Sequence, residues 1–278
     1  MLHIGEFNRL NVLTKEPHGY HLDGGDAGIV FLSHRQLSAR IDESQPLDVF
    51  VYRDNKARLM ATLEKPLAQV GQVSYLKVVD TNKVGAFLDW GLPKDLLAPF
   101  HEQVVPMAKD RYYLVMLFLD AEKRIAASAK LDEFLADENE GTFSVGQEVD
   151  IVVADKTDLG TKVVVNDTHW GVLYDNEIFK LIHKGQRMKA FVKKIREDDR
   201  IDMSLQKPGY DKNRLDELSQ KILDKIEKQG GFLAMNDKSS PGDVMTAFGV
   251  SKKQFKQAVG KLYKQRLITF KDSGMQKV

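Results

Sequence analysis

The sequence predicts a mainly β protein with a C-terminal α+β part, in which three small β-barrels precede a winged helix-turn-helix domain. Three observations favour this class. Two sets of landmarks repeat at nearly constant spacing, apolar and polar residues alternate with a period of two up to residue 209, and the period then changes to 3.6. Because 278 residues exceed one small module, several domains are expected.

The repeat is marked by a glycine near the start of each unit and an arginine near its end. Gly5, Gly71 and Gly146 are separated by 66 and 75 residues. The matching arginines, separated by 66 and 76 residues, are Arg58, Arg124 and Arg200. Two independent landmarks that keep their offset indicate a tandem repeat.

Each unit contains short runs in which β-branched or aromatic residues alternate with polar ones, separated by Asp, Asn and Gly turns. This pattern predicts short antiparallel strands. In the middle unit the predicted strands are 73–79, 84–90, 96–99, 112–119 and 124–128. Five strands in a unit of this length favour a small closed barrel, because closure removes exposed strand edges.

The pattern divides the chain into five segments. We expect barrels at residues 1–65, 66–130 and 142–209, an acidic linker at 131–141, and a winged-helix domain at 210–278. The linker contains five acidic residues and one short apolar stretch. It predicts a helical turn followed by a solvated connection.

The last segment follows Lys207-Pro208-Gly209 and has the periodicity of helices. Gly230-Gly231 ends the first predicted helix, Pro241 begins a second that extends to Phe248, and Ser251 caps a third that reaches about Gln265. The apolar residues on one face of the first helix are Leu215, Leu218, Ile222, Leu223 and Ile226. A β-like run at 267–270, a turn at 272–274 and a terminal strand complete the winged-helix order.

Composition narrows the function classes. The absence of cysteine excludes disulfides, zinc–thiolate sites, iron–sulfur clusters and cysteine nucleophiles. The seven histidines are scattered and no Gly-rich phosphate loop occurs, so we expect no metal, no cofactor and no catalysis. The N-terminus MLHIGEFNRL lacks a signal-peptide pattern, and no window approaches the roughly 18 apolar residues of a membrane span. A cytoplasmic protein without a membrane partner is expected.

Charge is distributed unevenly. Residues 210–278 carry 14 basic and 8 acidic side chains, although the whole chain has a net charge of +1. A basic segment of this kind favours a polyanionic partner, and a lysine-rich solvated helix surface is the alternative.

The motif Gly85-Ala86-Phe87-Leu88-Asp89-Trp90-Gly91-Leu92 resembles the S1 RNA-binding domain, an OB-type five-stranded barrel. Together with the stretch FLDWGLPKDLLAP, the three barrels and the winged helix, the chain resembles the bacterial CvfB family of S1-containing regulatory proteins. The resemblance is strong in the middle unit, moderate in the third and weak in the first. It implies three tandem S1-like barrels that bind RNA without catalysis.

The resemblance also implies a stacking residue. Phe87 lies at the family's stacking position, and Leu88 should point inward because neighbouring strand residues face opposite sides. Tyr20 is expected to be the matching residue of the first unit, and Lys162 that of the third, where phosphate contact replaces stacking. For Phe87 and Tyr20, a place in the core is the alternative. The basic residues expected to line the middle groove are Lys77, Lys83 and Lys94.

Two further groups of candidate residues combine basic and aromatic side chains. In the third unit, the expected RNA-binding residues beside Lys162 are His169, Trp170, Tyr174, Lys193, Lys194 and Arg196. In the winged helix, the expected nucleic-acid contacts are Lys252, Lys253, Lys256, Lys264 and Arg266. Trp170 can equally be a core residue, and the winged helix can equally be a protein-docking module.

The sequence thus predicts a non-catalytic regulator that binds single-stranded RNA and acts in post-transcriptional gene regulation. Two alternatives stay open. One is a transcriptional regulator that binds duplex DNA through the winged helix, and the other is a protein-binding adaptor of the ribosome or RNA polymerase.

Overall fold

The computed structural model of the chain describes residues 1–37, 41–178, 180–207, 212–271 and 273–278. Pro208-Gly209, after which the period was predicted to change, the expected boundary at 209/210 and Asp272 of the predicted wing turn lie outside these residues. The described part contains three barrel-like sheets followed by a helical region with a small sheet.

The first barrel is a six-stranded sheet whose order is β1-β5-β6-β4-β3-β2. Its strands are β1 (Phe7–Leu10), β2 (Val12–Glu16), β3 (Gly19–Asp23), β4 (Ile29–Ser33), β5 (Leu47–Arg53) and β6 (Leu59–Thr62). The sheet closes because β1 and β2 are two halves of one N-terminal strand that pair with opposite edges, β1 with β5 and β2 with β3. Strands β4 and β6 pair in parallel.

The second barrel has the sheet order β11-β10-β7-β8-β9. Its strands are β7 (Val73–Asn82), β8 (Gly85–Asp89), β9 (Leu96–Pro99), β10 (Tyr112–Leu119) and β11 (Ile125–Ser128). These bounds agree closely with the strands predicted from the alternating pattern. The order ends at β9 and β11, so these two strands are the edges of the sheet and face each other across a seam.

The third barrel is closed, with the order β12-β13-β14-β16-β15. Its strands are β12 (Glu148–Thr157), β13 (Gly160–Val165), β14 (His169–Leu173), β15 (Arg187–Ile195) and β16 (Ile201–Ser204). Strands β14 and β16 pair in parallel, as β4 and β6 do in the first barrel.

One glycine in each barrel shows why the sequence repeats. A Cβ on Gly85 would lie 2.3 Å from the carbonyl oxygen of Ala98 on the neighbouring strand. Gly19 and Gly160 begin the equivalent strands of the other two barrels, where an added Cβ would lie 2.2 Å and 2.5 Å from a backbone oxygen. Only glycine allows these strands to approach so closely.

The barrels pack against one another. Phe50 of β5 contacts Trp90 of the second barrel edge-to-face, with ring centroids 5.7 Å apart. Between the second and third barrels, Asp167 accepts a hydrogen bond from the backbone N–H of Val73 at 2.9 Å, and Arg187 donates to the carbonyl oxygen of Val73 and to Asp167. An aromatic contact therefore joins the first barrel to the second, and hydrogen bonds join the second barrel to the third.

The linker between the second and third barrels differs in part from the expectation. A 3₁₀ turn, Leu131–Glu133, occurs where a helical turn was predicted. Leu131 and Leu135, however, are buried in an apolar cluster that joins both barrels. Its five acidic residues are exposed, as a solvated connection requires.

The C-terminal region has the predicted winged-helix order. It contains α1 (Lys212–Lys228), β17 (Phe232–Leu233), α2 (Pro241–Phe248), α3 (Lys252–Lys264), β18 (Ile268–Lys271) and β19 (Gly274–Lys277). Ser251 begins α3 with a capping box, in which its side chain accepts from the N–H of Gln254 and the Gln254 side chain accepts from the N–H of Ser251. The short strand β17, which pairs with β19, escaped prediction. The predicted fold class is confirmed.

Candidate functional site

A cleft of about 640 Å³ lies along the seam between β9 and β11 of the second barrel. Strands β8 and β9 line one side, the β10–β11 hairpin lines the other, and the end of β5 adds a wall from the first barrel. The lining residues considered below are Arg53, Phe87, Trp90, Lys94, His101, Glu102, Phe118, Asp120 and Arg124. The cleft exists because the second barrel's sheet order leaves β9 and β11 at its edges.

Phe87 provides an aromatic wall of this cleft. Its side chain is half-buried, whereas Leu88 beside it is fully buried in the core of the second barrel. This alternation confirms that Leu88 points inward, and it places Phe87 on the outward side of β8. Phe118 of β10 also lines the cleft, so aromatic surface comes from both sides of the seam.

Trp90 anchors the loop that follows β8. Its ring is buried, and its indole N–H donates to the carbonyl oxygen of Lys94 at 2.7 Å. This bond fixes the backbone of Lys94, whose side chain is exposed at the cleft and hydrogen-bonded to Asn55 of the first barrel. Lys94 thus joins the two barrels at the edge of the cleft.

Arg124 is held beside the cleft by the hairpin turn between β10 and β11. Asp120 accepts from the Nε of Arg124 at 2.9 Å and from its backbone N–H at 2.9 Å. Burial raises the pKa of Asp120, but the hydrogen bonds and charge of Arg124 outweigh it and leave the pKa below its ordinary value. Arg124 itself is half-exposed, and its remaining guanidinium nitrogens are also paired, Nη2 with Asp120 at 2.8 Å and Nη1 with Glu122 at 3.0 Å.

The other two lysines expected in the middle groove lie elsewhere. Lys77 forms an ion pair with Asp110 at 2.7 Å, and that hydrogen bond and charge raise the pKa of Lys77. Lys83 is exposed near the β7–β8 turn. Neither residue lines the cleft, so the structure brings together only Phe87 and Lys94 from the predicted middle group.

In the first barrel Tyr20 has the core position that the sequence left open as the alternative to stacking. Tyr20 is buried in the barrel core, and its ring packs edge-to-face on His34. Gly85 and Gly19 begin equivalent strands, and Phe87 lies two residues after Gly85. The residue at the same distance from Gly19 is His21, not Tyr20. His21 is partly exposed and contacts Phe31 edge-to-face. A one-residue slip in register moves a side chain to the opposite face of a strand.

In the third barrel, part of the predicted RNA-binding group is buried at the junction with the second barrel. Trp170 belongs to the apolar cluster between the two barrels, and the Lys162 ammonium lies 3.7 Å from its ring centroid. Lys162 also pairs with Asp132 at 3.3 Å. His169 is buried against Phe143, and burial lowers the pKa of its imidazole. His169 is therefore not exposed as expected, and Trp170 has the core position that the sequence left open for it.

Of the remaining residues of that group, Arg196, Tyr174 and Lys193 form hydrogen bonds or ion pairs within the third barrel. Arg196 donates to Asp202 at 2.6 Å and to the hydroxyl oxygen of Tyr174 at 2.7 Å. Lys193 pairs with Glu177 at 2.5 Å. Lys194 is exposed. These intramolecular partners satisfy the charges that were expected to contact phosphates, except for Lys194.

The winged helix keeps most of its expected basic surface. Lys253, Lys256 and Lys264 on α3 and Arg266 after it are exposed. Lys252 is half-buried, and its ammonium lies 3.4 Å from the carbonyl oxygen of Lys238. Four of the five predicted cations thus face solvent.

Several residues of the cleft were missed in the sequence. Arg124 was noticed only as a marker of the repeat, although an arginine that returns at the same place beside the same strand is itself a signal. Arg53, Glu102 and Phe118 carried no such signal, because their part in the cleft depends on how the seam and the first barrel meet.

Within the described ranges no cluster of three or more His, Asp or Glu side chains could hold a metal ion. None of the helices in these ranges combines the length and apolarity that crossing a membrane requires.

Comparison with known families identifies domains at both ends of the chain. A model for the S1 domain matches residues 4–64, and a model for the CvfB-like winged helix domain matches residues 220–276. The S1 match lies on the first barrel, where the resemblance read from the sequence is weakest. Both domains are nucleic-acid-binding types, and neither is a catalytic type.

Full-length relatives show the same resemblance. The Bacillus subtilis (strain 168) protein YitL is 27% identical over 269 residues, which are 94% of this chain and 89% of that protein. Conserved virulence factor B of Staphylococcus saprophyticus is 25% identical over 277 residues, covering 96% and 91%. The protein of that name from Staphylococcus aureus (strain USA300) is 24% identical over 276 residues, covering 95% and 91%. The predicted resemblance to the CvfB family is confirmed.

A solved structure also aligns with the whole chain. It is a multidomain protein with nucleic acid binding domains from Streptococcus pneumoniae TIGR4. The alignment covers 99% of this chain and 98% of that one, with 24% sequence identity and a TM-score of 0.39.

Proposed function

We propose that this chain, which resembles the conserved virulence factor B proteins over nearly its whole length, is a non-catalytic regulator that binds single-stranded RNA. The single observation that carries the proposal is the cleft of the second barrel. It combines an outward aromatic ring, Phe87, with the cations Lys94 and Arg124. A cytoplasmic, post-transcriptional role belongs to the same proposal.

The chemistry of the cleft fits a single strand better than a duplex. Unpaired bases expose their ring faces, which stack on aromatic side chains, while phosphates follow lysine and arginine. In a duplex the base faces are already stacked on each other. A half-buried phenylalanine in a cleft of about 640 Å³ therefore selects a nucleic acid whose bases can leave the stack.

The barrel contacts extend this surface. Lys94 bonds to Asn55 and Phe50 packs on Trp90, so the end of β5 in the first barrel forms one wall of the cleft. An RNA strand in the cleft then contacts two barrels at once. Because the two walls of the cleft are already fixed by contacts between the barrels, binding does not pay the entropic cost of ordering them.

The test is a fluorescence-anisotropy titration of the full chain with labelled single-stranded RNA, matched single-stranded DNA and duplex DNA at two salt concentrations. We expect preference for RNA and a steep loss of affinity with salt. Phe87→Ala should weaken RNA binding about tenfold or more, since stacking contributes roughly 1–3 kcal/mol per base.

The matched control is Phe191→Ala, which removes a half-buried phenylalanine from a strand of the third barrel outside the cleft. Affinity should stay near that of the unchanged protein. Equal RNA affinity for the Phe87→Ala variant and the unchanged protein, with both folded by circular dichroism, would remove the cleft from the RNA site.

A second candidate function is duplex DNA binding through the winged helix. The specific observation in its favour is the exposed set of cations on and after α3, the helix that enters the major groove in this fold. Duplex DNA that competes with RNA as well as unlabelled RNA does would favour this candidate over the cleft.

A further inference from the structure

We infer that the groove between the second and third barrels is a second contact site for single-stranded RNA, in which a base stacks on Tyr112. This inference rests on the proposed function, because it extends the RNA surface beyond the cleft of the second barrel. The groove has a volume of about 760 Å³ and lies between the start of β7 and the loop that leads into β15. Tyr75 lines it, and Tyr112 packs on Tyr75.

The outward side of β10 leaves the ring of Tyr112 uncovered. Side chains two residues apart on a strand share a face, so Tyr112, Leu114 and Met116 form one row. Leu114 and Met116 are buried in the apolar cluster that joins the second and third barrels. Tyr112 is 51% exposed. Packing between the barrels therefore accounts for the other two residues of the row but gives no cover to Tyr112.

Tyr112 is the outer ring of a supported pair. Its ring lies against that of Tyr75, with the centroids 5.4 Å apart and an angle of 34° between the planes. Tyr75 in turn rests on the backbone of Gly185 in the third barrel, where an added Cβ would lie 2.3 Å from the Cβ of Tyr75. The inner ring is therefore fixed between two barrels. A base can stack on the outer ring without first ordering the pair.

Lysines from both barrels flank the ring pair. Lys184 lines the groove from the third barrel, and Lys77 lies opposite Tyr112 in the register of β7 and β10. The two lysine side chains are 39% and 40% exposed, and their partners Asp155 and Asp110 are each 66% exposed. Ion pairs so open to water contribute little to stability, so a phosphate can replace either carboxylate.

Arg187 also lines the groove, but its role is structural. It donates to Asp167, which is only 12% exposed, and to the carbonyl oxygen of Val73 in the second barrel. These bonds hold the two sides of the groove together. Because its loss would disturb the junction itself, Arg187 is left unchanged in the experiment below.

The groups around the groove fit a single strand of nucleic acid. An exposed aromatic ring stacks on an unpaired base, while lysines on either side contact the phosphates of its neighbours. The groove shares no lining residue with the cleft of the second barrel, so it adds a separate contact. Two contacts on one chain raise the effective concentration of the second, which favours a long RNA over a short one.

The experiment is an anisotropy titration of the full chain with a labelled 24-nucleotide uridine RNA. We expect Tyr112→Ala to weaken binding about tenfold, because it removes the stacking ring. Tyr112→Phe is the matched control, since it keeps the ring and loses only the hydroxyl. Its affinity should stay within about twofold of that of the unchanged protein. Circular dichroism checks that both variants fold.

Photocrosslinking of the unchanged protein gives a second measurement that needs no variant. The same RNA carries 4-thiouridine, and mass spectrometry identifies the crosslinked peptides. We expect crosslinks in peptides that contain Tyr112 or Lys184, the residues on the two sides of the groove.

The outcomes separate this inference from the function beneath it. If the unchanged protein binds RNA, equal affinity of folded Tyr112→Ala, or crosslinks that avoid the groove, would overturn the second site and leave the proposed function intact. A loss of affinity in Tyr112→Phe as large as in Tyr112→Ala would overturn stacking. Failure of the unchanged protein to bind RNA would overturn both proposals.

Discussion

Asp120 and Arg124 close the β10–β11 hairpin through a charged bridge, in which the carboxylate binds the Nε, the Nη2 and the backbone N–H of the arginine. Asp54 and Arg58 close the equivalent hairpin of the first barrel with the same contacts. In the equivalent hairpin of the third barrel, the residue four positions before the landmark Arg200 is Arg196 instead of an aspartate. In the first two barrels the arginine landmark of the repeat is therefore a turn-locking residue, and in the second barrel it also lines the cleft.

Asp120→Asn tests the bridge through its pH dependence. The native pKa of Asp120 lies below its ordinary value of about 3.9, so the ionised form stabilises the fold. That stabilisation is complete above about pH 4 and is lost as the pH falls through the native pKa. We expect Asp120→Asn to lower the free energy of unfolding by about 1 kcal/mol at pH 7, and the difference to shrink below pH 4.

Scanning calorimetry between pH 3 and pH 7 measures this difference. Asp137→Asn, at an exposed position of the linker, is the control and should show no pH-dependent difference. A deficit of Asp120→Asn that stayed constant over the whole pH range would show that the carboxylate charge has no part in the bridge.

Gly85→Ala tests the close approach of β8 and β9. The added Cβ would lie 2.3 Å from the carbonyl oxygen of Ala98 and 2.9 Å from Cα of Pro99, so the two strands must separate. We expect a loss of about 1–3 kcal/mol in the free energy of unfolding, measured by calorimetry. Gly260→Ala is the control, since a Cβ at that helical position meets open space and should stabilise by about 0.5–1 kcal/mol. Equal stability of both variants would argue against steric contact as the reason for Gly85.

Local patterns in the sequence were enough to predict the strands of the second barrel and the order of the helices, but not the two-residue strand β17. Alternation of apolar and polar residues predicted β9 and β10 with their observed ends, and Ser251 marked the start of α3 correctly. Both signals depend on residues close in the chain. Tyr20 could not be assigned to core or surface from the sequence, because its unit has a glycine doublet after the strand instead of the clear motif of the middle unit, and one residue of misalignment exchanges core for surface.

The site was harder to predict because it depends on contacts between distant segments. The sequence leaves Trp170 open as either a surface aromatic or a core residue, and only the packing of the third barrel on the second places it in their shared core. Glu102 looks like an ordinary surface acid until the seam between β9 and β11 buries one of its oxygens. Neither fact is present in the local sequence pattern.

Arg196→Met tests whether this residue is structural instead of RNA-binding. Arg196 neutralises Asp202, which is mostly buried, and donates to Tyr174. Its removal leaves an uncompensated buried carboxylate, which costs about 3 kcal/mol or more. We expect a clear drop in the melting temperature, whereas Lys194→Met, at an exposed position, should leave it unchanged. Loss of RNA affinity in a variant of unchanged stability would restore Arg196 to the binding surface.

The cations of α3 should determine how steeply binding depends on salt. Each phosphate contact made by a lysine releases about 0.7 counterions from a single strand, so the plot of log K against log salt steepens with each contact. Replacing Lys253, Lys256 and Lys264 by glutamine should therefore reduce the magnitude of this slope by about two. The matched control replaces three exposed lysines elsewhere in the same domain: Lys221, Lys228 and Lys238. Equal slopes for the two triple variants would show that these lysines of α3 do not contact the nucleic acid.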